Sequence, residues 1–238
     1  MKKISLLSLL FFVFNMATAQ QEISTAYATQ ATNMFAPLDK NRIPHKVLLD
    51  YGFEYTNLKA YNGTLSDSTV VDVPTLKHIY NTIFSSRVTS ATTGFINPNN
   101  FDSNWKNRTA GTITVSGLYY KYNAFINDAI NLGKVNFVNN QFQDKFVSGV
   151  WQNPYQEFQA FAMAPAISKY EGLSFTVKIP STIFYSNYQS LVQSIQIDFG
   201  NDAGYVTVPF NQNVTVNYAT EGVKTWKYKL NLTNGTSL

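Results

Sequence analysis

The chain has 238 residues, of which 45% are hydrophobic, and 18 basic against 14 acidic residues give it a net charge of +4. It contains no cysteine, which excludes a disulfide framework, a thiolate metal site and a lipid-modified N-terminal cysteine. The small charge excess, with no basic cluster, argues against a nucleic-acid-binding surface.

The first 19 residues have the three parts of a secretory signal peptide. Lys2 and Lys3 precede an apolar run over residues 4–14, and Ala17-Thr18-Ala19 provides small residues for cleavage after Ala19. The apolar run is too short to span a hydrocarbon core of ~30 Å. We therefore expect a secreted, periplasmic or cell-surface protein that begins near Gln20, with the two lysines removed.

The clearest predicted helix begins near Asp72. Asp72 is a suitable N-cap and Pro74 falls in the first turn, where a missing N–H costs little. Apolar residues then recur at helical spacing and predict one buried stripe: Leu76, Ile79, Tyr80, Ile83 and Phe84. Residues 90–109 are rich in Asn, Thr, Ser and Pro and predict a long loop.

From Thr112 the hydrophobic period changes to two, which predicts strands. Residues 124–132 favour a short helix with Gly133 after its C-terminus. Residues 135–138 and 146–151 predict short strands. Five alternating segments then predict an antiparallel sandwich: 175–179, 195–199, 205–208, 214–218 and 226–232. We expect Ile195, Ile197, Phe199, Trp226, Tyr228, Leu230 and Leu232 to be buried, with Lys227 and Lys229 in water.

The last forty residues resemble the second half of a PKD domain, an Ig-like β-sandwich of exported proteins. The resemblance is carried by Asp198-Phe199-Gly200, by Tyr218 and Gly222, and by Asn234-Gly235; Ile197 replaces the usual aromatic residue. It implies a PKD-like domain over residues 159–238, preceded by a mixed α+β region over residues 20–158. The predicted fold class is therefore mainly β. Such modules bind, space or support, and rarely catalyse.

The region before the sandwich resembles N-terminal parts of long, uncharacterised exported proteins of Bacteroidota. The similar segments are Ile43-Pro44-His45, residues 117–120 and residues 150–155. This resemblance implies that the chain is the leading portion of a larger exported protein. It supplies no active-site residues.

Two histidines bear on a catalytic alternative. No His-x-x-x-His, Gly-x-Ser-x-Gly or phosphate-loop motif occurs, so neither a zinc site nor a known nucleophile is predicted, and no cofactor is expected. His78 falls on the predicted helix and is interpreted as structural. His45 lies near Asp50 and Glu54 in sequence, which leaves open an exported esterase or glycan-active hydrolase with a non-standard site.

The binding-site hypothesis rests on one polar loop. Trp105 is flanked by Asn104 and Asn107, so its ring could stack on a sugar while the two amides bind hydroxyl groups. The competing interpretation is that Trp105 packs the loop onto the helix at residues 76–84. The expected partner is a polysaccharide or another domain of the same exported protein. Asp198, Asn201 and Asp202 could hold calcium, but short polar turns usually bind their own backbone.

Overall fold

The computed structural model describes residues 26–90, 93–104 and 109–238, and it confirms the mainly β class. The predicted signal peptide lies outside the described residues. Contacts divide the described residues into two compact units, one formed by residues 26–39 and 127–154 and the other by the described residues of the ranges 40–126 and 155–238. We refer to them as the hairpin unit and the main unit.

The helices follow local sequence signals. Residues 26–34 form α1, and two further helices are α2, Val73–Ser85, and α3, Pro98–Asn104. Short 3-10 turns complete the helical elements: Lys40–Arg42, Leu49–Tyr51, Leu58–Tyr61, Asp67–Thr69, Ser181–Ile183 and Gln189–Leu191. No helix among the residues described is long and apolar enough to cross a bilayer.

The prediction of α2 is confirmed. The Asp72 side chain accepts a hydrogen bond from Thr75 N at 2.8 Å, and Pro74 lies in the first turn. The hydrogen bond lowers the pKa of the Asp72 carboxyl. The predicted stripe is buried except for Phe84, which is half-buried.

The prediction of an unbroken loop over residues 90–109 is wrong, because residues 98–104 are helical. Pro98 occupies the first helical position, where its fixed φ suits a helix. Asn97 precedes it, and its side chain accepts a hydrogen bond from Asn99 N at 2.9 Å. The polar sequence hid these start signals, since Phe101 is the only buried residue among those of this helix whose burial is described.

Twelve strands are described. In chain order they are β1 Thr112–Phe125, β2 Val135–Val138, β3 Gln141–Asp144, β4 Phe146–Val147, β5 Val150–Trp151, β6 Tyr155–Pro165, β7 Ser174–Lys178, β8 Phe184–Ser186, β9 Val192–Asp198, β10 Tyr205–Thr207, β11 Asn213–Asn217 and β12 Lys227–Leu232.

The long strand β1 is central to the main unit. It pairs antiparallel with β6 from Val115 to Phe125. On its other side, β7 pairs parallel with residues 112–114 and β8 pairs parallel with residues 117–119. β11 extends this sheet beyond β7, and a second antiparallel sheet has the order β10-β9-β12.

Both faces of β1 are buried, which places the main sheet between two apolar layers. Leu118, Tyr120 and Tyr122 pack in one cluster with α2 residues. Alternate residues, including Val115 and Tyr119, pack in a second cluster with residues of β9 and β12. Successive side chains of a strand point to opposite faces, so one strand serves both clusters.

The predicted alternation in the C-terminal strands is largely confirmed. Five of the seven residues expected to be inside are buried: Ile195, Ile197, Phe199, Leu230 and Leu232. Trp226 and Tyr228 are half-buried instead. Lys227 is exposed as expected, but Lys229 is half-buried and its Nζ lies 5.7 Å from the Tyr205 ring centroid.

The division by contacts differs from the predicted domains. Residues 158 and 159 both lie inside β6, so the predicted boundary would cut a strand. β1, from the predicted N-terminal region, pairs with β7 and β8 from the predicted C-terminal one. The sheet therefore contains strands of both predicted regions, and the predicted domain division and the PKD-like assignment both stay predictions.

Two sequence interpretations around the hairpin unit are wrong. Residues 124–125 continue β1, and residues 127–133 form turns rather than a helix, with Asp128 in the left-handed region at φ 57°. Residues 146–151 form a two-stranded hairpin rather than one strand, because Ser148 and Gly149 both take positive φ. Positive φ at both central residues is the signature of a tight hairpin turn.

Candidate functional site

A group of hydrogen-bonded polar and charged side chains lies in the main unit, around His45. His45 Nδ1 lies 2.9 Å from Tyr188 Oη, and His45 Nε2 lies 2.8 Å from Glu157 Oε2. Lys121 Nζ donates to the other carboxylate oxygen, Glu157 Oε1, at 2.8 Å. We call these four residues the His45 cluster.

Three chain segments supply the other members of the His45 cluster. Lys121 lies on β1 and Glu157 on the adjacent β6, while Tyr188 follows β8. Asn187 binds Lys121 through both of its amide atoms: its Oδ1 accepts from Lys121 N at 3.0 Å and its Nδ2 donates to Lys121 O at 2.8 Å. These two bonds hold the chain just after β8 against β1, and Tyr188 follows directly.

The segment that carries His45 is fixed to the same strand. His45 N donates to Asn123 Oδ1 at 3.4 Å, and Asn123 N donates to Val47 O at 2.8 Å. The His45 and Tyr188 rings meet edge to face with centroids 5.3 Å apart. The position of the imidazole is therefore determined by backbone hydrogen bonds as well as by its ring contacts.

The charges of the His45 cluster compensate each other. Burial acts to raise the pKa of Glu157, but hydrogen bonds from Lys121 and His45 together outweigh it and leave that pKa below its ordinary value. The hydrogen bond to Glu157 raises the pKa of Lys121. The side chain of His45 is only 6% exposed, whereas that of Glu157 is 52% exposed. The histidine is thus shielded, and the carboxylate closes the cluster towards water.

The sequence interpretation of the surroundings of His45 is wrong. Its carboxylate partner is Glu157, not Asp50 or Glu54. Asp50 Oδ2 instead accepts a hydrogen bond from Phe125 N at 2.8 Å. Within the described part of the chain, no three His, Cys, Asp or Glu side chains come together in a way that could hold a metal ion.

The predicted sugar-binding residues are placed only in part. Trp105 and Asn107 lie outside the described residues, so the stacking and packing interpretations of Trp105 both stay predictions. Asn104 is half-buried at the end of α3, and its Nδ2 donates to Tyr185 Oη at 3.0 Å. The Asn104 amide therefore ties α3 to β8.

The polar turn after β9 binds its own backbone. Asp198 Oδ1 accepts from Gly200 N at 2.9 Å, and Asn201 Oδ1 accepts from Ala203 N at 3.4 Å. These bonds favour the turn interpretation over a calcium site. Nearby, Tyr218 Oη donates to Phe199 O at 2.7 Å and accepts from Trp226 Nε1 at 2.8 Å.

An exposed aromatic group that the sequence reasoning missed lies beside α2. Phe53 is 45% exposed and Tyr55 is 50% exposed, and their rings meet with centroids 4.9 Å apart. The ring of His78, an exposed residue, lies within 18° of parallel to the Tyr55 ring, with centroids 6.5 Å apart. We call these three residues the Tyr55 platform. The alternation Phe53-Glu54-Tyr55 after Gly52 was the only sequence signal.

Comparison of the chain with models of protein families, with curated proteins and with solved structures gave no match.

Proposed function

We propose that this protein is an exported, non-catalytic accessory module that binds a polysaccharide or another domain of the same exported protein. The observation that carries the proposal is the closed His45 cluster. Both ring nitrogens of His45 have partners inside the cluster, and so do both oxygens of Glu157.

The arrangement favours a structural clamp over a catalytic site. A general base needs a nitrogen or oxygen within reach of the proton that it removes from substrate or nucleophile. In the His45 cluster the ring nitrogens of His45 and the carboxylate oxygens of Glu157 are already bonded to Tyr188, to Lys121 and to each other. Replacing these contacts with substrate contacts would leave a shielded imidazole without its partners, which is costly.

The exported location and the PKD-like class are parts of the same proposal. The residue pattern at positions 1–19 supports export, and a chain without cysteine is compatible with it. The bond from Tyr218 to Phe199 O supports the PKD-like interpretation, because it joins two segments that carry the resemblance.

A hydrolase remains the second candidate, on the specific observation that a histidine and a carboxylate form a close pair. In that case Glu157 would orient His45, and the bond to Tyr188 would open for the proton transfer. The partly exposed carboxylate gives the pair access to water.

The two candidates are separated by an activity panel. The chain from Gln20 to Leu238 and its His45→Ala variant are assayed on aryl esters, aryl glycosides and polysaccharides, with folding of both checked by circular dichroism. The proposal predicts no turnover above buffer for either protein. Turnover by the wild type that disappears in a folded His45→Ala variant would establish the hydrolase instead.

A further inference from the structure

We propose that the Tyr55 platform is a stacking site for the pyranose rings of a neutral polysaccharide. This inference rests on the proposed binding function and names the site and the ligand class. It is carried by the exposure of adjacent rings, by the rigid backbone below them and by the charges beside them.

The backbone of the platform is fixed to α2 by side chains of the helix. Ser85 Oγ accepts from Phe53 N and donates to Phe53 O, both at 3.0 Å. Thr82 Oγ1 accepts from Tyr55 N at 3.0 Å and donates to His78 O at 2.9 Å. Residues 53–55 therefore run beside the helix at a set distance.

Gly52 sets how closely this segment approaches the helix. A Cβ atom at position 52 would lie 2.1 Å from Ser86 Oγ and 2.8 Å from Ser86 Cα. Only glycine lets the chain enter the platform so close to α2. The rings are thus presented on a preformed support, and a ligand that binds them does not have to order a loop first.

Phe53 and Tyr55 are exposed and are not among the residues of the buried core cluster beside α2. The buried faces of the main unit are filled by other aromatic residues, among them Tyr80, Tyr120 and Phe101. A single exposed apolar side chain is normal, but here two half-exposed aromatic rings touch and a third ring lies nearly parallel to one of them. Aromatic faces of this kind gain free energy when a flat apolar surface covers them.

The carboxylate beside the rings disfavours an anionic ligand. Glu54, between the two aromatic residues, is exposed and carries a carboxylate that repels anionic polymers. The same carboxylate accepts hydrogen bonds from hydroxyl groups, and His78 offers ring nitrogens on the same surface. A pyranose ring has a flat C–H face for the aromatic rings and hydroxyl groups at its edge, so it fits both features.

The test is a depletion assay with insoluble neutral polysaccharides (cellulose, xylan and chitin) and with calcium-gelled alginate as an anionic comparison. Tyr55→Ala removes the exposed ring, and Tyr55→Phe keeps it. Tyr205→Ala is the matched control, because Tyr205 is an exposed tyrosine of the same unit, 42% exposed on β10. Thermal melts confirm that all three variants are folded.

We expect wild type to bind at least one neutral polysaccharide. Tyr55→Ala should bind the same polymer with an affinity reduced by up to about tenfold. Tyr55→Phe should remain within about twofold of wild type, and Tyr205→Ala should be unchanged. Equal affinities of Tyr55→Ala and Tyr205→Ala would overturn the site while leaving the binding function standing. Binding to alginate alone, or to none of the four polymers, would overturn the neutral-sugar ligand. The activity panel decides separately whether the protein is a hydrolase.

Discussion

Two buried tyrosine hydroxyl groups give the sharpest test of the packing, because only one of them has hydrogen-bond partners. Tyr80 Oη donates to Ile96 O at 2.6 Å and accepts from Ile96 N at 2.7 Å. Tyr228 Oη is buried and has no hydrogen-bond partner among the described residues. Replacing each tyrosine with phenylalanine removes the same oxygen from two different environments.

The expected effects have different sizes and signs. Tyr80→Phe leaves both backbone groups of Ile96 without their partner, beneath a ring that is fully buried and stacked on Phe101. At about 1–1.5 kcal/mol for each lost bond, the free energy of unfolding should fall by about 2–3 kcal/mol. Tyr228→Phe removes a desolvated hydroxyl that gains nothing in return, so stability should be unchanged or rise by up to about 1 kcal/mol.

Urea denaturation followed by tryptophan fluorescence measures both variants against wild type, with the slope m checked for constancy. On thermal melting, Tyr80→Phe should lower Tm by about 5–10 °C. The pKa of Tyr80, which burial raises to about 12, fits a hydroxyl held away from water. Equal stabilities of the two variants would refute the assignment of partners in this core.

Three further predictions concern charge, aromatic packing and backbone approach. Because the folded pKa of Glu157 is depressed, its contribution to stability should be present above its ordinary pKa of 4.5 and be lost as the pH falls below it. The difference in urea midpoint between wild type and Glu157→Gln should therefore shrink from pH 7 to pH 3. A difference that stays constant would count against the ion pairs. Trp226→Ala should cost about 3 kcal/mol, at the low end for a large aromatic residue because Trp226 is half-buried, and a melt shift too small to measure would show that its contacts with Phe199 and Tyr218 contribute nothing. Gly52→Ala should cost about 1–3 kcal/mol from the clash with Ser86, measured by the same denaturation; wild-type stability would mean that the segment is not held against α2.

Elements defined by local signals could be predicted from the sequence. The helix α2 has an N-cap, an early proline and a regular apolar stripe within fourteen residues. The C-terminal strands alternate because one face packs and the other meets water. Their order along the chain was therefore readable, although Trp226 and Tyr228 lie nearer the edge of the core than alternation implies.

The centre of the fold could not be predicted in the same way. β1 is buried on both faces, so its sequence around Gly117 and Tyr120 shows no clear alternation, and its end was mistaken for a helix. Helix α3 was missed for the opposite reason, since Phe101 is the only buried residue among its described side chains.

The candidate site depends on contacts between distant parts of the chain. His45 meets Glu157 and Tyr188, which are 112 and 143 residues away in sequence. Proximity in sequence pointed to Asp50 and Glu54 instead. The Tyr55 platform depends on α2 in the same way, because Ser85 and Thr82 of the helix fix residues that lie 32 and 27 positions before them in sequence.

The central claim is that the protein binds a polysaccharide without hydrolysing it. Isothermal titration calorimetry tests this most directly, because binding and hydrolysis give different heat signals. The chain from Gln20 to Leu238 is titrated with soluble neutral polysaccharides. A non-catalytic binding module predicts heat pulses that saturate and return to the baseline with at least one polymer. Sustained thermal power that vanishes in a folded His45→Ala variant would contradict the claim and establish a hydrolase, and the absence of any heat with every polymer would contradict polysaccharide binding.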